Sequence, residues 1–68
     1  MSAKEMFEAL GFKIYEEKQH IQYERIREDD IAVISFIIEI ENVYINLRYL
    51  SSDLLKAINQ QCKELGWF

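Results

Sequence analysis

The chain carries one histidine, His20, and one cysteine, Cys62, and these are the first residues to ask for chemistry. A catalytic imidazole needs a nucleophile or an acid within hydrogen-bond reach, and the residues around His20 form no such constellation. It reads as a surface residue at the start of a strand. Cys62 falls four residues after Ile58 and three before Leu65, on an apolar helical stripe where a free thiol packs as a small hydrophobe. A reactive thiolate wants a cation or a helix N-terminus beside it, and Cys62 lies in the last turns of its helix instead. Glu28-Asp29-Asp30 lacks the spaced ligands and the turn glycine of a calcium loop, and reads as a solvated hairpin turn. The only glycines are Gly11 and Gly66, so the chain has no glycine-rich phosphate loop. Nucleophile elbows, metalloprotease helices and redox cysteine pairs do not occur either. The expectation is a non-enzyme without catalytic residues, metal ligands or cofactor.

The aromatic residues point elsewhere. Tyr15, Tyr23, Tyr44 and Tyr49 fall on expected strands. On an RNA-recognition sheet such residues stack bases while arginines hold phosphates. Here their neighbours are acidic or aliphatic, so tyrosines half in the core are the preferred reading. The same residues suit a protein interface. Trp67-Phe68 either folds back over the second helix to finish the core or docks on another subunit, and folding back is the commoner arrangement. Twelve acidic residues against eight basic ones give a net charge of -4. Arg25, Arg27 and Arg48 are the only arginines and form no basic stripe, so direct nucleic-acid binding is not expected.

The elements that must position these residues follow from periodicity. Ser2 with Glu5 makes a capping box, Met6, Phe7 and Leu10 share a helical face, and Gly11 suits a left-handed cap, so residues 2–10 read as a short helix. Period-two alternation then begins. A strand carries Phe12 and Ile14 and ends near Glu16-Glu17-Lys18; a second runs from His20 to Arg27, with Ile21 and Tyr23 opposite His20, Gln22, Glu24 and Ile26. The third, about Ile31 to Glu41, is apolar on both faces: Ala32, Ile34, Phe36, Ile38 and Ile40 on one, Ile31, Val33 and Ile37 on the other. Glu41-Asn42 is the expected hairpin turn, and a fourth strand runs from Val43 to about Tyr49. A second helix starts at a Ser51 or Ser52 cap and reaches Leu65, with Leu54, Leu55, Ile58, Cys62 and Leu65 as its stripe and Gly66 closing it. The expected fold is one α+β domain over residues 1–68. It is a two-layer sandwich in the order α-β-β-β-β-α, a four-stranded antiparallel meander with both helices on one face.

Sixty-eight residues, half of them apolar, sit where a single core is only just large enough. One cysteine makes no internal disulfide and no Cys/His cluster offers a structural metal, so dense packing or a partner must supply the stability. Met1-Ser2-Ala3-Lys4-Glu5 leads straight into an amphipathic pattern rather than a secretory leader, and Ile31 to Ile38 is too short to span a bilayer. A cytoplasmic protein with no membrane partner is expected.

Ala3-Lys4-Glu5-Met6-Phe7-Glu8-Ala9-Leu10-Gly11-Phe12 and Ala57-Ile58-Asn59-Gln60-Gln61-Cys62-Lys63-Glu64-Leu65-Gly66-Trp67 resemble the ends of small proteins encoded by phages and prophages of low-GC Gram-positive bacteria. The resemblance covers about a third of the chain. It implies a small intracellular accessory protein of a mobile element and carries over no functional residues. Two readings of function follow. The first is a non-enzymatic protein-interaction module that self-associates, as a homodimer or other homo-oligomer, or binds a host protein. Its interaction residues are Ile31, Val33, Ile37 and Tyr44 on the outer sheet face, with Trp67 and Phe68 at the end of the chain. The alternative is an acidic inhibitor of a host nucleic-acid enzyme. That reading requires Glu16, Glu17, Glu24, Glu28, Asp29, Asp30, Glu39 and Glu41 to form one negative face.

Overall fold

The computed structural model describes every residue from Met1 to Phe68. The first helix, α1, spans Ala3–Ala9 and is fixed at both ends by its own sequence. Ser2 Oγ accepts a 3.2 Å hydrogen bond from the Glu5 amide, and the Ser2 amide donates to Glu5 Oε1 at 2.9 Å. This capping box satisfies donors that a helix start otherwise leaves to water. At the other end Gly11 takes φ +89°, which a Cβ would resist. Its amide donates to the Glu8 carbonyl and the Phe12 amide to the Phe7 carbonyl, both at 3.0 Å, a Schellman closure. The last helix, α2, spans Ser52–Glu64 and repeats this solution. Ser51 Oγ accepts from the Leu54 amide at 3.1 Å, Gly66 sits at φ +75°, and the Trp67 amide donates to the Cys62 carbonyl at 3.0 Å.

Between the helices run β1 (Lys13–Glu17), β2 (His20–Arg27), β3 (Asp30–Ile37) and β4 (Asn42–Asn46), an antiparallel meander in the order β1-β2-β3-β4. The α+β sandwich expected from the sequence is therefore the fold, with both helices on one face of the sheet. Two boundaries differ. The third strand does not reach Glu41: it stops at Ile37, where the Ile38 amide donates to the Gln19 carbonyl at 2.9 Å. The chain then turns through Ile38–Glu41, closed by Glu41 N–H on the Ile38 carbonyl at 3.3 Å, with Glu41 itself at φ +51°. Ile38 and Ile40 continue the alternation in sequence but belong to this turn. The fourth strand likewise ends at Asn46, leaving Tyr49 exposed beyond it.

Register sorts the side chains. Ile14, Tyr23, Ile34 and Ile45 form one row across the helix-facing side, and Ile21, Phe36 and Val43 the next. Tyr23, Ile34 and Phe36 are fully buried there against Ala3 and Phe7 of α1 and Leu54, Ala57, Ile58 and Cys62 of α2. The Phe7 ring stacks on Tyr23, with centroids 3.7 Å apart and planes 15° from parallel; Phe12 and Phe36 meet Phe7 edge-on. Such pairs add about 0.5–1.5 kcal/mol each beyond the area they bury. The Tyr23 hydroxyl donates a 2.6 Å hydrogen bond to Oε1 of Gln61, which is itself buried. Burial, helped by the carboxylates of Glu64, Glu16 and Glu8, raises the Tyr23 phenol pKa well above its usual range, so it stays a donor.

The helices are also tied to one another and to the sheet at their ends. The Ala3 amide at the start of α1 donates to Glu64 Oε2 at 2.7 Å, placing a carboxylate from the end of α2 on the positive end of α1. The Arg25 guanidinium lies 4.7 Å above the Phe12 ring, and its Nη1 donates to the Leu10 carbonyl at 3.2 Å. Arg25 thus covers the C-terminal end of α1 from the sheet.

Three outcomes follow. Tyr23→Phe strands the Gln61 amide in the core and should cost about 1–3 kcal/mol in chemical denaturation, and Tyr23→Phe with Gln61→Met should recover most of it. Gly11→Ala should cost about 1 kcal/mol, from the backbone alone, since its Cβ would meet only the Arg25 side chain, with Cδ at an ordinary 3.5 Å and Cγ at 4.0 Å. The Ser2 amide, and then the Ser2 hydroxyl, hold the Glu5 carboxyl below the usual glutamate pKa. The stability it contributes is therefore present above the ordinary value and lost as pH falls through the lowered one. NMR titration should show Glu5 below the ordinary glutamate value, and Ser2→Ala, which removes the hydroxyl but keeps the amide, should raise it only part of the way back.

Candidate interaction surface

With both helices on one side, the opposite side of the sheet stands open. Its rows follow from register: Ile26 beside Ile31; Lys13, Glu24, Val33, Asn46; Tyr15, Gln22, Ser35, Tyr44; Glu17, His20, Ile37, Asn42. Ile31, Val33 and Ile37 therefore run down the central strand β3 on one face, with Tyr44 next to Ser35, as the sequence places them. Val33 and Ile37 are half-buried by their neighbours, while Ile31 and Tyr44 are more than half exposed. Two residues belong with them that the sequence reading left out of the surface. Ile26 pairs directly with Ile31 across the two-residue turn Glu28–Asp29, and Tyr15 mirrors Tyr44 on the other side of Gln22 and Ser35. The signal for both was the hairpin register, which aligns them once the turn is known to hold two residues.

The face is not uniformly apolar. Ser35 Oγ donates to Gln22 Oε1 at 3.2 Å, and Gln22 Nε2 reaches Glu24 Oε2 at 3.4 Å. Ser35 is buried at the centre of this chain. Isoleucines at both ends, tyrosines on both flanks and an internally bonded polar centre match the composition of protein interfaces, where aromatic area accompanies satisfied polar groups.

The remaining candidates fall into place around it. Trp67 folds back: its ring lies 6.3 Å from Phe36, tilted by 51°, and it is half-buried, whereas Phe68 stays 76% exposed. The two residues read as a pair thus separate, because the Gly66 closure directs only Trp67 at the core. The tyrosines divide too. Only Tyr23 enters the core; Tyr15, Tyr44 and Tyr49 are at least half exposed, which corrects the expectation that all four sit half inside. Tyr15 and Tyr44 occupy outer-face positions by register, and Tyr49 lies past the end of its strand.

His20 lies on the outer face beside Glu17 and Ile37. Cys62 is buried in the core, and burial raises its thiol pKa, away from thiolate chemistry. No group of three His, Cys, Asp or Glu side chains comes together to hold a metal ion. The cleft lined by Arg25, Arg27, Asp30, Tyr49, Ser51 and Leu54 contains no histidine, cysteine or lysine, and of its two hydroxyls, those of Tyr49 and Ser51, the second is committed to capping α2. Nor do the eight acids named above share one face. Glu17 and Glu24 point outward, with Lys13 opposite Glu24, while Glu16 and Asp30 fall on the helix-facing side. Glu28 and Asp29 occupy one end of the sheet, and Glu39 and Glu41 the other. No helix is long and apolar enough to cross a membrane. No protein-family model, curated protein or solved structure matches the chain.

Proposed function

We propose that the protein is a non-enzymatic interaction module, an accessory protein of the phage and prophage kind its two ends resemble, that acts in the cytoplasm and self-associates through the outer face of its sheet. One observation supports this reading above the others. Ile26, Ile31, Val33, Ile37, Tyr15 and Tyr44 share a face that neither helix covers. A monomer this small gains little from leaving so many apolar side chains in water, and large exposed apolar areas mark docking sites. A second copy is a natural occupant, because an isologous contact brings the same isoleucines and tyrosines to both sides. A host protein of similar surface character would use the same residues.

Light scattering on a size-exclusion column at high micromolar concentration should show more than one chain per particle. Ile37→Lys, at the middle of the β2–β4 span, should lower that mass with an unchanged circular dichroism spectrum. A monomeric wild type at the same concentration sinks the self-association reading.

A further inference from the structure

The open face has a margin with different properties from its middle, and that margin is strand β4. Of eleven large apolar side chains that are exposed, five (Ile40, Tyr44, Ile45, Tyr49 and Leu50) fall within residues 40–50, on β4 and its flanks. Strand β4, Asn42-Val43-Tyr44-Ile45-Asn46, is also the only strand with no acidic or basic residue. The opposite edge, β1, carries Lys13, Glu16 and Glu17. Charges on an edge strand discourage pairing with another chain, and β4 has none of that protection.

The hydrogen bonding of the edge can be counted. The Ile38 amide donates to the Gln19 carbonyl where β3 leaves β2. Bonded pairs alternate in an antiparallel ladder, so Phe36, Ile34 and Ala32 turn their backbone groups to β2, and Ile37, Ser35 and Val33 turn theirs to β4. On β4 their partners Asn42, Tyr44 and Asn46 are thereby used. The amides and carbonyls of Val43 and Ile45 point away from the sheet.

We propose that a second copy of this chain adds to the free edge of β4, antiparallel, with Tyr44 on the two-fold axis, so that two sheets join into one of eight strands. This rests on the self-association proposed above and adds a second contact to it, at the edge rather than on the face. Centring on Tyr44 is the one register that uses both outward residues within the strand: Val43 faces the partner's Ile45 and Ile45 the partner's Val43, giving four hydrogen bonds. Tyr44 then meets its own copy on the outer face, as a close non-bonded aromatic pair. Charge agrees with this register. The Asn46 end of one β4 lies at the Asn42 end of the other, which brings the segment carrying Arg48 of one copy towards the turn that holds the partner's Glu39 and the partner's Glu41. On the helix side, Ile45 is 43% exposed in the monomer despite facing the helix layer. The edge contact covers Ile45. Its axis stands perpendicular to the sheet; a face contact whose axis lies parallel to the sheet along the row of Gln22, Ser35 and Tyr44 crosses it, and the two contacts together then close at four copies.

The test uses light scattering and amide exchange on the full chain. With both contacts the wild type should weigh four chains, and Ile37→Lys, which spares the edge, should leave two. In that variant the Val43 and Ile45 amides should exchange roughly tenfold slower at high concentration than on dilution. Ile45→Pro removes an outward donor without touching the β3–β4 ladder, as edge prolines do. It should leave two chains joined by the face, and Ile45→Pro with Ile37→Lys only one. A monomeric Ile37→Lys, or a dimer whose Val43 and Ile45 amides exchange equally fast at both concentrations, overturns the edge contact even if Ile45→Pro fails to fold. A wild-type dimer that Ile37→Lys leaves intact, with those amides protected, supports the edge and removes the face contact instead.

Discussion

Tyr23 is the residue on which the two layers depend. It stands on the second strand with its ring under Phe7 of the first helix and its hydroxyl on Gln61 of the last, so one side chain touches three elements far apart in sequence. A core of eleven buried apolar residues has little redundancy, and the largest of them carries a polar atom that must be satisfied where it lies. Gln61 satisfies it, and in doing so fixes the rotation of α2 about its own axis. A helix turned by one residue would bring a different side chain to Tyr23 and leave two polar groups without partners in the core. Apolar stripes alone tolerate such slippage; a buried hydrogen bond between defined atoms does not.

From that placement the rest of the packing follows. With Gln61 fixed, Glu64 arrives one turn later at the amide of Ala3, so α1 starts where α2 ends and the helices lie antiparallel over the sheet. Phe7, four residues into α1, reaches Tyr23 from above, and the chain leaves α1 through Phe12 into β1 under the cover of Arg25. Two short helices of seven and thirteen residues are consumed in covering one side. No element remains for the other, and its openness results from how much chain the first side needs.

Much of this is legible in the sequence wherever the determinant is local. Ser2 with Glu5, Ser51, Gly11 and Gly66 mark the helix ends because capping is decided within a few residues, and the face assignments of β2 and β3 follow from strict alternation. The strand ends are not legible in the same way. Ile38 and Ile40 prolong the pattern of β3, yet an isoleucine in a turn and one in a strand look alike to a period-two count. Glu41 at positive φ carries no glycine or asparagine to announce it. Ile31, Val33 and Ile37 are readable as one set, since alternation within β3 puts them together. Joining Tyr44, Ile26 and Tyr15 to them takes the cross-strand register. Least legible was the Tyr23–Gln61 bond, because thirty-eight residues separate its partners and a glutamine within an amphipathic helix ordinarily marks the wet side.

The twin helix endings have an implication for how this chain can change over time. In each, a glycine at positive φ turns the backbone so that the next residue, Phe12 or Trp67, drops onto the aromatic cluster. The aromatic is thus locked to the helix by count as well as by contact. An insertion or deletion of one residue inside either helix would swing its closing turn by about 100° and carry the ring away from its seat. Both helices are therefore quantised in length, and related chains should vary by substitution there. Length variation has a freer outlet in the turn from Ile38 to Glu41, where an added residue displaces no buried ring. A chain of this size has few places where it can grow, and that turn is one of them.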